Sequence, residues 1–345
     1  MSSIIDYDYE LDSEFIAQLP SEKRHDSKLM VLNRATSSIE DRLFHELIDI
    51  LEPGDLLVLN NAKVIPARLI GKKVTGGKVE IFLLQDRSKN KDIYWEVLVK
   101  PGIKVGTNVV FSDKLSCEVI NVLDDGKRLV RFDTSLDFLT VIDELGQIPL
   151  PPYVNYDETK SEYYKQRYQT VFADKFGAAA APTAGLHFTN DLFENLADKG
   201  VEIAYLTLYV GIGTFRPIKC DNYLEHTMHS ETYELPAETV DKINEIKSIG
   251  GRVIAVGTTT TRVLEGVYNK QGQLKSGIGS TDIFIHPGFE FQVIDSMITN
   301  FHLPKSSLLL MISAFANKEF IMGAYERAKV SGYRFFSFGD AMLIV

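Results

Sequence analysis

Two rhythms of apolar residues divide this chain, and their order constrains the fold more than any other feature. The stretch GDLLVLNNAKVIPARLIGKKVTGGKVEIFLLQD, starting at residue 54, breaks into short strand-type runs punctuated by Gly and Pro, with Gly76-Gly77 at a hairpin turn. IYWEVLVKPG, TNVVFSD and LSCEVINVLDDGKRLVRFD extend the pattern, and Asp125-Gly126 is a second hairpin dipeptide. Six or so strands at this spacing predict a small β-barrel or sandwich. The Pro-rich IPLPPYV at 148–154 closes it, because proline neither donates to a ladder nor continues a helix. Beyond it the rhythm becomes strand, loop, helix. In GAAAAPTAGLHFTNDLFENLADKGVEIAYLTLYVG, Leu192, Phe193 and Leu196 recur at helical spacing, with Thr189 as N-cap and Gly200 as stop. PAETVDKINEIKSIGGRVIAVGTTTTRVLEGVY repeats the order around a buried strand at Val253 to Val256, and YRFFSFGDAMLIV reads as a last strand. The expected fold class is α/β: a discontinuous α/β domain of layered sheet and helices, residues 1–62 plus 153–345, with a small antiparallel β-barrel, residues 63–152, inserted into it.

The formal net charge of −10 argues against a general nucleic-acid binder, whose phosphate contacts bring a basic excess. The charge is uneven, however: residues 64–152 carry +1 and the remainder −11. Cys117 and Cys220, the two cysteines, exclude a disulfide framework and fit a reducing compartment. The acidic N-terminus MSSIIDYDYELDSEFIAQLP shows no apolar core of a secretory signal, and the apolar run Leu308 to Ala316 is too short to span a bilayer. The expectation is a cytoplasmic protein with no membrane contact, a monomer by preference.

In an open α/β sheet, ligands bind beyond the carboxyl ends of the strands. APTAGLHFT places Thr183, Gly185, His187 and Thr189 at such a loop. VGTTTTR offers four hydroxyls and Arg262 after the strand Val253 to Val256; Thr258 to Thr261 either cap a helix or bind an anion at its N-terminus. Neither a P-loop nor a GxGxxG fingerprint occurs there. EHTMHSE carries His226, His229 and Glu231; His-x-x-His supplies two metal ligands where three or four are needed, so no metal is expected, and the pair reads as loop histidines or as acid/base groups. ITNFHLPKSSLLLMISAFA sets Asn300, His302 and Lys305 before an apolar element, as a cap or as the wall of a site, with Asp282 and His286 upstream.

The ordered set GDLLVLNNAKVIPARL, TGGKVEIFLL, IPLPPYV, RYQTVFA, GAAAAPTAGLHFT, VGIGTFRPI, EHTMHSE, RVIAVGTTTTRVLE, TDIFIHPGF, ITNFHLPKSS and YRFFSFGDAMLI closely resembles the S-adenosylmethionine:tRNA ribosyltransferase-isomerases of queuosine biosynthesis, from about Asp8 to Ile344. Tyr209 stands where that family usually has histidine, and Ala62 where it usually has threonine. The resemblance implies transfer of the ribosyl part of S-adenosylmethionine to 7-aminomethyl-7-deazaguanine at the wobble position of tRNA, with isomerisation to the epoxycyclopentane of epoxyqueuosine and release of adenine and methionine. It implies no cofactor, S-adenosylmethionine being consumed as donor. The site it implies has His187, His226, His229 and His302 lining one cleft, with Glu231 and Asp282 tuning them or holding the sulfonium charge. Arg262 and Lys305 would bind the methionine carboxylate beside Thr258 and Thr259, with Thr183, Gly185 and Asn300 as further substrate contacts. Arg68, Lys72, Lys73, Lys78 and Arg131 of the inserted barrel are the candidate contacts to tRNA. A tRNA or nucleotide binding module without catalysis and an ordinary methyltransferase are the alternatives. The latter would release S-adenosylhomocysteine.

Overall fold

The computed structural model describes residues 2–88, 91–123, 126–211 and 217–345. Asp125 of the Asp125-Gly126 hairpin and the centre of VGIGTFRPI therefore lie outside the described residues. The strands are β1 (Lys28–Asn33), β2 (Ser38–Leu43), β3 (Leu56–Asn60), β4 (Ala62–Val64), β5 (Arg68–Lys73), β6 (Lys78–Asp86), β7 (Ile93–Lys100), β8 (Asn108–Val110), β9 (Ser116–Val122), β10 (Arg128–Asp133), β11 (Lys175–Ala178), β12 (Glu202–Leu208), β13 (Glu231–Leu235), β14 (Val253–Val256), β15 (Gly277–Thr281), β16 (Ser296–Asn300) and β17 (Ala341–Ile344). The helices are α1 (Leu47–Ile50), α2 (Phe138–Leu145), α3 (Ser161–Arg167), α4 (Asn190–Asp198), α5 (Ala237–Ser248), α6 (Thr258–Gln271), α7 (Ser307–Ala316) and α8 (Lys318–Val330).

One mixed sheet of nine strands, in the order β15-β13-β12-β3-β14-β16-β17-β1-β2, forms the α/β body. Strands β12, β3, β14 and β16 run parallel at its centre. They are buried on both faces, which is why LLVLN and VIAV read as continuous apolar runs. Alternate residues of β3 serve opposite layers. Leu56 and Val58 pack with Val240, Ile243, Leu264 and Leu309 of the helices on one face, and Leu57 and Leu59 with Leu47, Leu192 and Leu196 on the other. The edge strand β2 presents Glu40, Asp41 and Arg42 to solvent, which blunts an open edge.

Strands β5 to β10 close into a six-stranded antiparallel barrel, in the order β10-β7-β6-β5-β8-β9, with β9 and β10 completing the ring. Its inward residues, among them Leu69, Ile81, Trp95, Val97 and Val119, form a core separate from that of the sheet, and Phe138, Val141 and Ile142 of α2 plug one end. The chain leaves the barrel at Gly146, where a Cβ would stand 2.2 Å from the Pro66 carbonyl oxygen, so only glycine fits that crossing. The short parallel pair β4–β11 connects barrel to sheet.

Candidate active site

Because β3, β12, β14 and β16 run the same way, their carboxyl ends meet along one edge of the sheet. Antiparallel β13 starts at that edge, which delivers Glu231 there from the opposite direction. Two cavities open on this edge, separated by the backbone of residues 209–211.

The smaller is a hollow of about 60 Å³. Gly257, at φ +91°, turns β14 directly into α6, so Thr258 and Thr259 enter its wall at the helix N-terminus. The four threonines do not cap. Thr260 and Thr261 donate to the Val256 and Gly257 carbonyls at 2.8 and 3.3 Å, one turn back. Thr259 Oγ1 is buried with no hydrogen-bond partner among the described residues. Thr183, Asn300, His302 and Phe336 complete the wall. Phe336 holds φ +71°, a strained conformation for a bulky residue of the kind that concentrates at functional sites. Ser306 caps α7 by accepting from Leu309 N, so the 298–316 stretch is both wall and cap.

Two of the four candidate histidines are neutral pillars. His187 stacks on Phe44 with its Nδ1 2.7 Å from Ser27 Oγ and its Nε2 3.1 Å from Asn300 Nδ2. An amide donor at Nε2 leaves the proton on Nδ1, and Asn300 Oδ1 is thereby turned to accept from Thr183 at 2.9 Å. His302 Nε2 lies 2.8 Å from Thr299 Oγ1, and its backbone is held by the hydroxyls of Tyr9 and Tyr325. Burial drives both imidazoles down to about 3, helped at His187 by the charges of Arg334 and Arg24. At neutral pH neither takes up a proton, and His187 shapes the hollow from behind rather than lining it.

The larger cavity, about 850 Å³, lies between barrel and sheet. Trp95, Glu96 and Gln85 face Tyr209, His229 and Glu231 across it. Volumes of 300–1,000 Å³ suit drug-sized ligands, whereas the hollow takes only a few waters or a small terminus. Glu231 is 4% exposed and ion-paired with Arg262 on α6. Burial pushes its carboxyl up, but His229, the Arg262 guanidinium and the Gly211 N–H at 3.0 Å together outweigh this and hold it below the usual carboxylate range. His229 Nε2 stands 3.6 Å from Glu231 Oε1, on the cavity side. A half-exposed imidazole beside a fixed carboxylate is the arrangement a proton shuttle needs.

Other expected residues fall elsewhere. Arg262 spends its charge on Glu231 and also donates to the His229 carbonyl, so its guanidinium belongs to the scaffold rather than to a bound carboxylate. Lys305 reaches out to Asp8 at 2.8 Å, not into either cavity. His226 packs edge-on against Phe284, away from His229's cavity, and Asp282 is exposed. Gly185 packs against Phe172, whose Cζ a Cβ would meet at 2.7 Å. On the barrel, Arg68 pairs with Glu80 and Arg131 with Glu118. Lys72 and Lys78 face each other at the tip of the β5–β6 hairpin, the opposite end of β6 from Gln85 and Asp86 that line the cavity. Sequence reasoning missed Trp95, Gln85, Tyr153 and Ser337. Only Trp95, the sole tryptophan, stood out in the sequence.

The sequence profile of the family described as "Queuosine biosynthesis protein" matches residues 4–344. The chain is similar to the S-adenosylmethionine:tRNA ribosyltransferase-isomerase of Finegoldia magna, 53% identical over 343 residues, 98% of this chain and 97% of that protein. It is 52% identical to that of Desulfitobacterium hafniense over 344 residues, 99% of each. Among solved structures it resembles the S-adenosylmethionine tRNA ribosyltransferase of Thermotoga maritima, at 42% identity and a TM-score of 0.57, over 99% of this chain and 100% of that one.

Proposed function

The chain belongs to the queuosine biosynthesis protein family, and on that footing we propose where its chemistry is done and by which side chains. It is an enzyme that transfers ribosyl from S-adenosylmethionine to tRNA and isomerises it. The acceptor in this reading is the aminomethyl group of 7-aminomethyl-7-deazaguanine at the wobble position of tRNA. Epoxyqueuosine-tRNA, adenine and methionine are the products. No cofactor is called for, since the donor's own sulfonium and adenine are the leaving groups and no electrons are exchanged with a carrier. The enzyme would work as a monomer in the cytoplasm, where its tRNA resides. Among the described residues no single helix is long and apolar enough to cross a membrane.

The sulfonium acidifies the ribose C5′ hydrogens, so one positioned base generates an ylide-like carbon. Adenine leaves more readily when its ring is protonated, and the acceptor ammonium must lose a proton before it attacks. The observation that carries the assignment is the His229–Glu231 pair on the wall of the nucleoside-sized cavity. Glu231, kept ionised, orients His229 and stabilises it when protonated, so His229 alternates between base and acid; such a group contributes about 10²–10⁴-fold. The methionine carboxylate is assigned to the α6 N-terminus, where free N–H groups and the unpartnered Thr259 hydroxyl point into the hollow. The donor would then straddle residues 209–211, amino-acid end in the hollow and nucleoside in the cavity. Mass spectrometry of the small molecules released with tRNA bearing the aminomethyl base tests the reading. Adenine plus methionine supports it, whereas S-adenosylhomocysteine, or no product, refutes it.

A further inference from the structure

A groove of about 640 Å³ runs beside the cavity, between α3 and the segment that leaves the barrel. Arg24, Lys63, Lys165 and Arg167 line it, against one acidic residue, Asp143, in a chain whose formal net charge is −10. Lys165 is neutralised by Asp143 at 2.7 Å. The other three have no such partner. Among the described residues Arg24 donates only to the carbonyls of Leu186 and Gln166, both at 3.1 Å. Arg167 donates to the carbonyls of Glu22 and Ser21 at 2.9 and 2.5 Å, and its Nε is buried with no partner among the described residues. Lys63 Nζ sits 4.3 Å over the ring of Phe176. Among the described residues no carboxylate lies within 4 Å of any of these three cations.

Uncompensated cations gathered in one concave surface repel one another, which costs stability unless an anion joins them. The groove also adjoins the cavity: Phe176, under Lys63, lines the cavity, and so does Ile65, two residues along from Lys63. Tyr163 in the groove and half-exposed Phe176 at its mouth offer ring faces of the kind on which unstacked bases stack. We propose that this groove, and not the lysine-tipped β5–β6 hairpin, carries the RNA: phosphates flanking the reacting nucleotide lie along Arg24, Arg167 and Lys63, while the nucleotide itself turns over Phe176 into the cavity. The inference rests on the tRNA-modifying reading above and names the surface that reading leaves open.

Full-length enzyme with Lys63→Glu, Lys63→Ala or Arg24→Gln, and a Lys72→Ala/Lys78→Ala control, would be compared for binding of an anticodon stem-loop RNA across about 50–200 mM KCl. Lys63→Glu should weaken binding, and raise the KM for tRNA, about tenfold, and Lys63→Ala should lower the slope of log K against log salt by about 1. The hairpin control should match wild type. Should Arg24→Gln fail to fold, the two Lys63 variants decide alone, because that side chain ends at the surface. Wild-type affinity and salt slope in the Lys63 variants, or a larger loss in the hairpin control, overturns the groove while leaving turnover intact. If wild-type enzyme itself releases no adenine, the reaction assignment fails instead.

Discussion

Three histidines of this site carry the same side chain into two electrostatic fates. His187 and His302 are sealed among neutral partners and kept uncharged, while His229 stands at a cavity wall with a carboxylate at 3.6 Å. The first two make stability depend on pH. Both folded-state values lie near 3 against an ordinary 6.5, so above pH 6.5 the native state pays no penalty. Below it the unfolded chain gains protons that the native chain refuses, and stability falls as pH drops from 6.5 toward 3. By pH 5 the loss is about 2 kcal/mol per histidine. Thermal melts at pH 7 and pH 5 should therefore differ by several degrees more for the wild type than for His302→Gln; parallel shifts would remove the claim. None of this was legible in the sequence, where His187, His229 and His302 sit in equally polar loops and only tertiary burial tells a pillar from a shuttle.

At the scale of elements, α6 organises the site. Its N-terminus forms the hollow, its first turn sends Arg262 to β13, and its middle lies close on β15. Arg262→Leu should cost about 3–5 kcal/mol in urea denaturation, because it takes the balancing guanidinium from the buried Glu231 carboxylate, whereas Arg262→Leu with Glu231→Leu should recover most of it. An unrecovered double variant would mean that packing, not charge, dominates there. Gly266→Ala would gain about 1 kcal/mol of helix propensity. Its Cβ, however, would meet Thr281 Oγ1 at 2.5 Å, a short side chain on a strand that has little freedom to yield. The net effect should be a loss of about 1–2 kcal/mol, and a raised melting temperature would refute it. The strand–loop–helix order around VIAVGTTTTR was readable from periodicity and the glycine. The work of the four threonines was not. Threonine reads as a cap in sequence, yet two of these bond backward to carbonyls and two face the hollow.

At the scale of the molecule, the barrel and the sheet were separable by eye because strand-length runs broken by Gly and Pro give way to helical spacing. The cavity between them was not, since its wall joins the β6–β7 hairpin, at Gln85 and Trp95, to Tyr209 and His229 far along the chain. For the same reason charge counting pointed to the less acidic barrel, while the uncompensated cations of Arg24, Lys63 and Arg167 gather beside the cavity from outside the barrel core. Proton transfer is thus assigned to one imidazole, His229, in that inter-domain cavity. The rate of adenine release, measured with tRNA and saturating S-adenosylmethionine for the wild type and His229→Ala, tests this most directly. A fall of about 10²–10³-fold with donor affinity changed by no more than a few-fold is predicted; a folded His229→Ala enzyme releasing adenine at the wild-type rate would contradict it.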